Sequence, residues 1–295
     1  MKVGLCLPYS QEGLSWEVLR EWCRRIDEGP FSALSCGERM VGPGVDMMAM
    51  LGAAAAVTER VRIVPTLYVL PMHSASKVAK HAATLDLISD GRTMITVGVG
   101  GRPQDYAVME REPVRQQHKK MSEQVAQIRR IWAGEPPLEG AEPLGPRPVQ
   151  PGGPPILAGV TRPRAIAQAV RWADGIYSWS GNGDRSEMKA QQEMILSEWD
   201  RAARDEPPIR IAGFWYSLAP DADAKLKNYV YKYIRLAGEG PAKAMARTVD
   251  RSSREAIHAS LDAYEELGIQ ECWLNSATPE IAEIDGLLEI LDERG

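Results

Sequence analysis

The sequence lacks most of the features that would place it quickly in a functional class. Its four cysteines form no CxxC pair, so neither a zinc site nor a dithiol redox motif is indicated. The net charge is −5, and the sequence contains no stripe of basic residues. Both observations argue against a nucleic-acid-binding protein. No apolar run approaches the length of a membrane span, and the first residues, "MKVGLCLPYS", show no signal-peptide pattern. We therefore expect a cytoplasmic protein that binds neither nucleic acid nor membrane.

Several common catalytic motifs are also missing. The four histidines show no HExxH or other metal-binding spacing, and no metal site is predicted. No G-x-S-x-G elbow occurs, which lowers the case for an α/β-hydrolase, and there is no Walker sequence. Only His73 follows a predicted strand end, where it could face a site.

Short apolar runs alternate along the chain with longer amphipathic segments. Several runs are continuously apolar, as expected for strands that are covered on both faces of a parallel sheet. The runs predict eight strands, at residues 2–8, 32–36, 61–67, 93–98, 154–159, 175–179, 209–218 and 270–275. Eight strands alternating with helices favour an α/β fold of the (β/α)8 TIM-barrel type. A doubly wound sheet is the alternative, because closure of a sheet cannot be read from sequence.

No linker divides the chain, so we predict one domain over residues 1–295. Residues 133–155 are rich in proline and glycine, and residues 219–252 carry helical pattern beyond what a barrel needs. We therefore expect extended loops after strands 4 and 7. The spacing also predicts a helix beginning after Asp46, whose side chain is a good N-cap.

Three glycines end the fourth predicted strand, in the stretch "ITVGVGGRP" (95–103). A dinucleotide-binding turn would need a further glycine where Pro103 stands, so that motif is excluded. In a barrel enzyme this strand end lies at the active face, where Gly98, Gly100 and Gly101 would let the backbone approach a flat ligand. A tight turn explains the same glycines equally well.

The fifth and sixth predicted strands also end in small and hydroxyl residues, "LAGVTRP" (157–163) and "SWSGNGD" (178–184). Each loop runs directly into a helical segment. Backbone amides at a helix start, with hydroxyl groups beside them, suit a phosphate group. The two loops therefore predict a phosphate site, although ordinary helix capping uses the same residues.

Three segments of the chain resemble the luciferase-like monooxygenase superfamily. They are "AAAAVTERVRIVPT" (53–66), "KVAKHAATLDLISDGRTMITVGVGG" (77–101) and "PPILAGVTRPRAIAQAVRWADG" (154–175). The match runs over residues 1–182 and is most specific in "ATLDLISDGR" (83–92). The family comprises (β/α)8 barrels that use FMN or the deazaflavin coenzyme F420, so the resemblance implies this fold and one of these cofactors.

The resemblance also implies roles for particular residues. It places a non-prolyl cis peptide behind the cofactor ring in "TLYV" (66–69), here between Leu67 and Tyr68. Val99 and Gly100 match positions that contact the ring system, and Gly101 belongs to the same strand end. The cofactor phosphate would contact two loops, comprising Ala158, Gly159, Val160 and Thr161 in the first and Ser178, Ser180, Gly181 and Asn182 in the second.

One departure from the family pattern concerns catalysis. Relatives often carry an acidic residue followed by a catalytic histidine after the second strand, whereas this chain has Glu38 followed by Arg39. Arginine remains charged and cannot act as a general base at neutral pH. We predict that Arg39 faces the cofactor ring or an anionic substrate, while a surface ion pair with Glu38 is the competing interpretation. Glu38 and Arg39 are the candidate catalytic residues.

The leading hypothesis is an oxidoreductase that transfers hydride between F420 and a small organic substrate. The alternatives are an FMN-dependent monooxygenase with a separate flavin reductase as partner, a non-catalytic flavin-binding relative, and a barrel lyase or isomerase that binds a phosphorylated substrate. The resemblance further implies a homodimer formed through helices after the second and third strands, where this chain reads "MMAMLGAAAAV".

Overall fold

In the computed structural model, which describes residues 1–112 and 116–294, nine strands form a parallel sheet. The strands are β1 (Lys2–Cys6), β2 (Ala33–Cys36), β3 (Arg62–Pro65), β4 (Tyr68–Val69), β5 (Ile95–Gly98), β6 (Ile156–Gly159), β7 (Gly175–Trp179), β8 (Ile209–Tyr216) and β9 (Glu271–Ser276). All eight predicted strands are present, and the short strand β4, which was not predicted, directly follows the third predicted strand (61–67).

The order of the strands shows that the sheet closes on itself. The order is β3-β2-β1-β9-β8-β7-β6-β5-β4, so the two ends of the sheet are β3 and β4, which are consecutive in sequence and joined by Thr66 and Leu67. An isolated bridge between Ile63 and Thr93 joins β3 to the segment that leads into β5. This confirms the (β/α)8 TIM barrel over the doubly wound sheet. The non-prolyl cis peptide lies between Thr66 and Leu67, so its expected position at Leu67–Tyr68 was wrong by one residue.

Helices follow the strands as the sequence pattern predicted. They are α1 (Trp16–Glu28), α2 (Met47–Val57), α3 (Ala75–Ile88), α4 (Pro103–Val108), α5 (Gln117–Trp132), α6 (Pro163–Ala169), α7 (Arg185–Arg201), α8 (Ala222–Ile234), α9 (Glu239–Thr248), α10 (Arg254–Glu266) and α11 (Ala282–Arg294), with short 3-10 turns at Leu70–Met72 and Arg235–Ala237. The Asp46 side chain accepts a hydrogen bond from the Ala49 amide, which confirms the predicted N-cap.

Both predicted extended loops are confirmed. Residues 133–155 contain neither helix nor strand and connect α5 to β6. After β8 the chain forms the two additional helices α8 and α9 before it returns to the barrel through α10.

The interior of the barrel is packed with side chains. Residues from six strands contact one another there: Ala33, Val64, Leu157, Tyr177, Ile211 and Trp273. Since this cluster fills the barrel, space for a ligand lies above it, at the carboxyl ends of the strands. Within the described ranges, no helix combines the length and the apolar character needed to cross a bilayer.

The cysteines provide no reactive thiolate. All four are free and buried. Burial raises the pKa of the Cys6 thiol to about 11, and it raises the pKa of the Cys272 thiol well above its ordinary value. These thiols therefore stay protonated at neutral pH and behave as small apolar side chains.

Candidate active site

A cavity of about 680 Å³ opens at the carboxyl ends of the barrel strands. This size is typical of small-molecule and cofactor sites. Its walls come from the loops after β1, β2, β5 and β6, from the break between β3 and β4, from β7 and from α8. The lining residues are Tyr9, Glu38, Arg39, Thr66, Leu67, Val69, Val99, Gly100, Gly101, Arg102, Asp105, Tyr106, Gly159, Thr161, Arg162, Trp179, Tyr233 and Ile234.

The alternation of side chains along the strands divides the predicted cofactor residues into two groups, because successive side chains point to opposite faces. Leu67, Gly159 and Thr161 line the cavity, as do Val99, Gly100 and Gly101. Tyr68, Ala158 and Val160 instead lie on the outer face of the barrel. The Tyr68 side chain is buried and its hydroxyl donates to Met48 Sδ at 2.9 Å. Ala158 and Val160 pack against apolar side chains of α6.

The side chains of the second predicted phosphate loop (178–182) form hydrogen bonds within the protein. Ser178 accepts a hydrogen bond from Gln192, and Ser180 donates to Glu187 while accepting from the Asp184 amide. Both hydroxyls are fully buried. A Cβ added at Gly181 would lie 3.1 Å from both Met245 Sδ and the Trp215 ring, and the Asn182 side chain accepts from the Asp250 amide. These four residues lie outside the cavity lining, and their cofactor role stays a prediction.

The glycines at the strand ends accommodate side chains of the protein. A Cβ at Gly98 would lie 2.8 Å from Leu67 Cδ2, and one at Gly159 would lie 2.4 Å from the same atom. A Cβ at Gly100, where φ is +64°, would meet Val69 Cγ1 at 2.7 Å. Of the glycines in "ITVGVGGRP", Gly101 has open space beside it. Close approach therefore does explain Gly98, Gly100 and Gly159, but the approaching groups belong to the segment around β4 rather than to a ligand.

Glu38 connects the end of β2 to the segment after β4. One carboxylate oxygen accepts from the Val69 amide at 2.7 Å, and the other lies 2.7 Å from His73 Nε2. The Glu38 side chain is 6% exposed and also lines the cavity. His73 therefore does lie beside the site, with Glu38 between it and the cavity.

Arg39 lies inside the cavity rather than on the surface. Its side chain is 11% exposed, and its guanidinium carbon lies 4.8 Å from the centre of the Tyr233 ring. The nearest carboxylate is Asp105, with 3.7 Å between Arg39 Nε and Asp105 Oδ2, which is too long for a hydrogen bond. Asp105 Oδ1 accepts from the amides of Met40 and Val41 and so fixes the loop that carries Arg39. The competing interpretation of a surface ion pair with Glu38 does not fit this arrangement, because Arg39 is mostly buried and the carboxylate beside it is that of Asp105.

Several cavity residues were not predicted as site residues. Arg102 follows the three glycines directly, and Arg162 follows Thr161, so adjacency to the predicted loops was a usable signal for both. The Tyr106 hydroxyl donates to the Val99 carbonyl at 2.6 Å, and burial raises its pKa to about 12. Tyr233 lies on α8, more than 130 residues from Arg102 in sequence, and no local pattern brings it to the cavity.

The segment "ATLDLISDGR" (83–92) has a structural role at the other end of the barrel. Asp86 is fully buried and accepts hydrogen bonds from the amides of Val149 and Gln150 and from the Gln150 side chain. The Arg92 guanidinium donates to backbone carbonyls at the end of α2 and at the start of β3, those of Ala55, Thr58 and Val61. The segment fastens α2, α3 and the 133–155 loop together.

The acidic and metal-binding side chains give no indication of a metal centre. Across residues 1–112 and 116–294, no three His, Cys, Asp or Glu side chains come together in an arrangement that could hold a metal ion.

With this geometry in view, comparison with known proteins identifies the family. The family model for luciferase-like monooxygenases matches residues 1–285, and the chain belongs to that family. A relative in Mycobacterium tuberculosis, itself an uncharacterised protein, is 27% identical over 219 residues, covering 72% of each chain.

Solved structures share the fold. The monooxygenase RslO1 from Streptomyces bottropensis superposes with a TM-score of 0.79 at 21% identity, over 100% of this chain and 99% of that one. An F420-dependent secondary alcohol dehydrogenase gives 0.77 at 18%, over 98% of each chain. The FMN-bound oxygenating constituent of 3,6-diketocamphane monooxygenase from Pseudomonas putida gives 0.72 at 17%, over 99% and 96%. At these identities the likeness establishes the fold alone.

Proposed function

We propose that the protein is an oxidoreductase that binds coenzyme F420 in the 680 Å³ cavity and transfers hydride to or from a small organic substrate. The observation that carries the proposal is the composition of the cavity. One wall is apolar, formed by Leu67, Val69 and Val99, and suits a flat ring system. The loop containing Thr161 and Arg162 supplies a hydroxyl and a cation suited to a phosphate.

The residues of the chain have distinct parts in this proposal. Leu67, Val99, Gly100 and Gly101 would contact the ring, while Gly159, Thr161 and Arg162 would hold the phosphate end. When bound, the deazaflavin supplies hydride chemistry. Glu38 would exchange a proton with a substrate hydroxyl, since each of its oxygens keeps a second acceptor site beyond the bonds to Val69 and His73.

A direct binding experiment tests the cofactor. Purified protein is titrated separately with F420 and with FMN, and dissociation constants are measured from the change in cofactor fluorescence. We expect F420 to bind at least tenfold more tightly than FMN. Arg162→Gln should weaken F420 binding by about tenfold through loss of one charge-assisted contact at an exposed site. Arg171→Gln, at an exposed arginine beyond the opposite end of α6 and outside the cavity, is the matched control and should bind as the wild type does.

A substitution at Gly159 is unsuitable for testing the phosphate contact. A bulky residue at Gly159 would collide with Leu67, so weaker binding in that variant would report packing rather than contact with phosphate. Thr161→Val is the better companion, because it removes only the hydroxyl.

FMN-dependent monooxygenation is the second candidate, favoured by the family to which the chain belongs. Tighter binding of FMN than of F420, with oxygen consumption when reduced FMN is supplied, would replace the first proposal with this one. A flavin reductase would then be the partner protein. Binding of either cofactor without turnover of any substrate would favour a non-catalytic relative. Binding of neither would favour a lyase or isomerase that acts on a phosphorylated substrate.

A further inference from the structure

Two arginines from different loops lie against the same aromatic ring at the mouth of the cavity. The guanidinium carbon of Arg39, after β2, lies 4.8 Å from the centre of the Tyr233 ring, and that of Arg102, after β5, lies 4.3 Å from it. Both distances are within the range of cation–π contacts. The ring is itself fixed by aromatic contacts, with Trp215 at 5.3 Å and Tyr229 at 5.8 Å between ring centres.

Each arginine keeps a buried N–H group without an acceptor. Within residues 1–112 and 116–294, Arg39 Nε and Arg102 Nη1 are shielded from solvent and have no hydrogen-bond partner. The second terminal nitrogen of Arg102, Nη2, donates to the Tyr233 carbonyl at 2.5 Å, and this bond fixes the guanidinium group in place. A buried donor of a charged group is costly to leave unpaired, so these two positions call for an acceptor from outside the chain.

The charges around the cavity favour an anion as that acceptor. The lining contains three arginines, Arg39, Arg102 and Arg162, and two carboxylates, Glu38 and Asp105. Both Glu38 oxygens already accept hydrogen bonds, and Asp105 Oδ1 holds the backbone at residues 40 and 41. In the described part of the chain, the two guanidinium groups at Tyr233 have one carboxylate beside them, that of Asp105, whose Oδ2 lies 3.7 Å from Arg39 Nε, so their positive charge is only partly balanced by the protein.

We propose that the substrate carries a carboxylate, which Arg39 and Arg102 bind together against Tyr233. A carboxylate is planar and has two acceptor oxygens, which matches two N–H donors presented by separate guanidinium groups. This inference rests on the proposed function, because it names the class of substrate for the same cavity. The phosphate end of the cofactor is assigned to the different loop that contains Thr161 and Arg162.

The test compares matched acids and amides on the protein without cofactor and on the protein loaded with F420. The probes are benzoate and benzamide, and hexanoate and hexanamide, with binding measured by ligand-observed NMR. In the wild type we expect at least one acid to bind tenfold more tightly than its amide. Arg39→Gln and Arg102→Gln should each reduce that ratio to about threefold or less, with F420 affinity changed by less than twofold. Arg102→Lys should keep part of the preference.

The controls separate this inference from the proposed function. Arg162→Gln should weaken F420 binding and leave the preference for acids unchanged. Arg39→Gln removes no hydrogen bond present in the structure, so it remains informative if Arg102→Gln fails to fold. Equal binding of acids and amides by the wild type, or a preference that survives Arg39→Gln, overturns the inference. Loss of F420 affinity in Arg39→Gln with an unchanged acid preference also overturns it, since the anion would then belong to the cofactor. A preference for acids in a protein that binds no F420 refutes the proposed function alone.

Discussion

Glu38 offers a sharp test of how the site is held together, because its two oxygens serve two different donors. In Glu38→Gln, the amide oxygen can still accept from the Val69 amide, and the new NH2 group can donate to His73 Nε2 if the imidazole carries its proton on Nδ1. The variant therefore keeps both contacts but exchanges charge-assisted bonds for neutral ones. Since the two kinds of bond differ by about 1 kcal/mol each and two bonds are exchanged, we expect the free energy of unfolding to fall by about 2 kcal/mol.

Glu38→Ala removes both acceptors. The buried Val69 amide would lose its partner, at a cost of about 1–3 kcal/mol, and His73 would lose a charge-assisted bond worth about 1.5–3 kcal/mol. The expected loss is therefore about 3–6 kcal/mol. The assay is equilibrium unfolding in urea followed by tryptophan fluorescence. Glu123→Ala, whose side chain is 65% exposed, is the control and should change stability by less than about 0.5 kcal/mol.

Equal losses for the Gln and Ala variants would refute this reasoning, because they would show that the hydrogen bonds at Val69 and His73 do not determine the effect. The same Gln variant also separates structure from chemistry. If Glu38 exchanges a proton with substrate, turnover should fall by about 10²-fold or more although the fold is retained.

Two further predictions concern stability and assembly. Burial raises the pKa of the Glu283 carboxyl above its ordinary value of 4.5, so its stabilising contribution is complete below pH 4.5 and is lost as the pH rises through the raised pKa. The unfolding free energy of the wild type minus that of Glu283→Gln should therefore decrease from pH 4 to pH 7, and a flat difference would contradict this. For the expected homodimer, Leu87 and Ile88 at the end of α3 are 55% and 46% exposed. Light scattering should give about twice 32.5 kDa for the wild type and a single-chain mass for the double variant Leu87→Glu, Ile88→Glu, whereas Leu138→Glu, at a position 67% exposed outside these helices, should remain dimeric.

The fold was predictable because its signals are local. Each strand is a short apolar run, and the extra helices and the 133–155 loop are visible in composition. For the site, the sequence predicted which loops contribute to it but not which of their residues face the cavity. The sequence analysis assigned the consecutive residues 158–161 to the phosphate site as one group. Side chains alternate along a strand, however, so Ala158 and Val160 pack against α6, whereas Gly159 and Thr161 line the cavity.

Two other features depended on contacts that the sequence does not encode locally. Glycines at strand ends predict a close neighbour, but they do not say whether that neighbour is a ligand or, as at Gly98 and Gly159, the side chain of Leu67. Tyr233 reaches the cavity because α8 folds back over the barrel mouth, which is a long-range arrangement.

The position of the segment 83–92 has a consequence for how such proteins diverge. Asp86 and Arg92 fasten the frame at the amino ends of the strands, whereas the two arginines and Tyr233 stand at the opposite, carboxyl ends. The segment in which the resemblance to the family is most specific is therefore physically separate from the residues that we propose bind the substrate. Under this proposal, two relatives that share the segment need not act on the same molecule, and residues 39, 102 and 233 are the ones to compare.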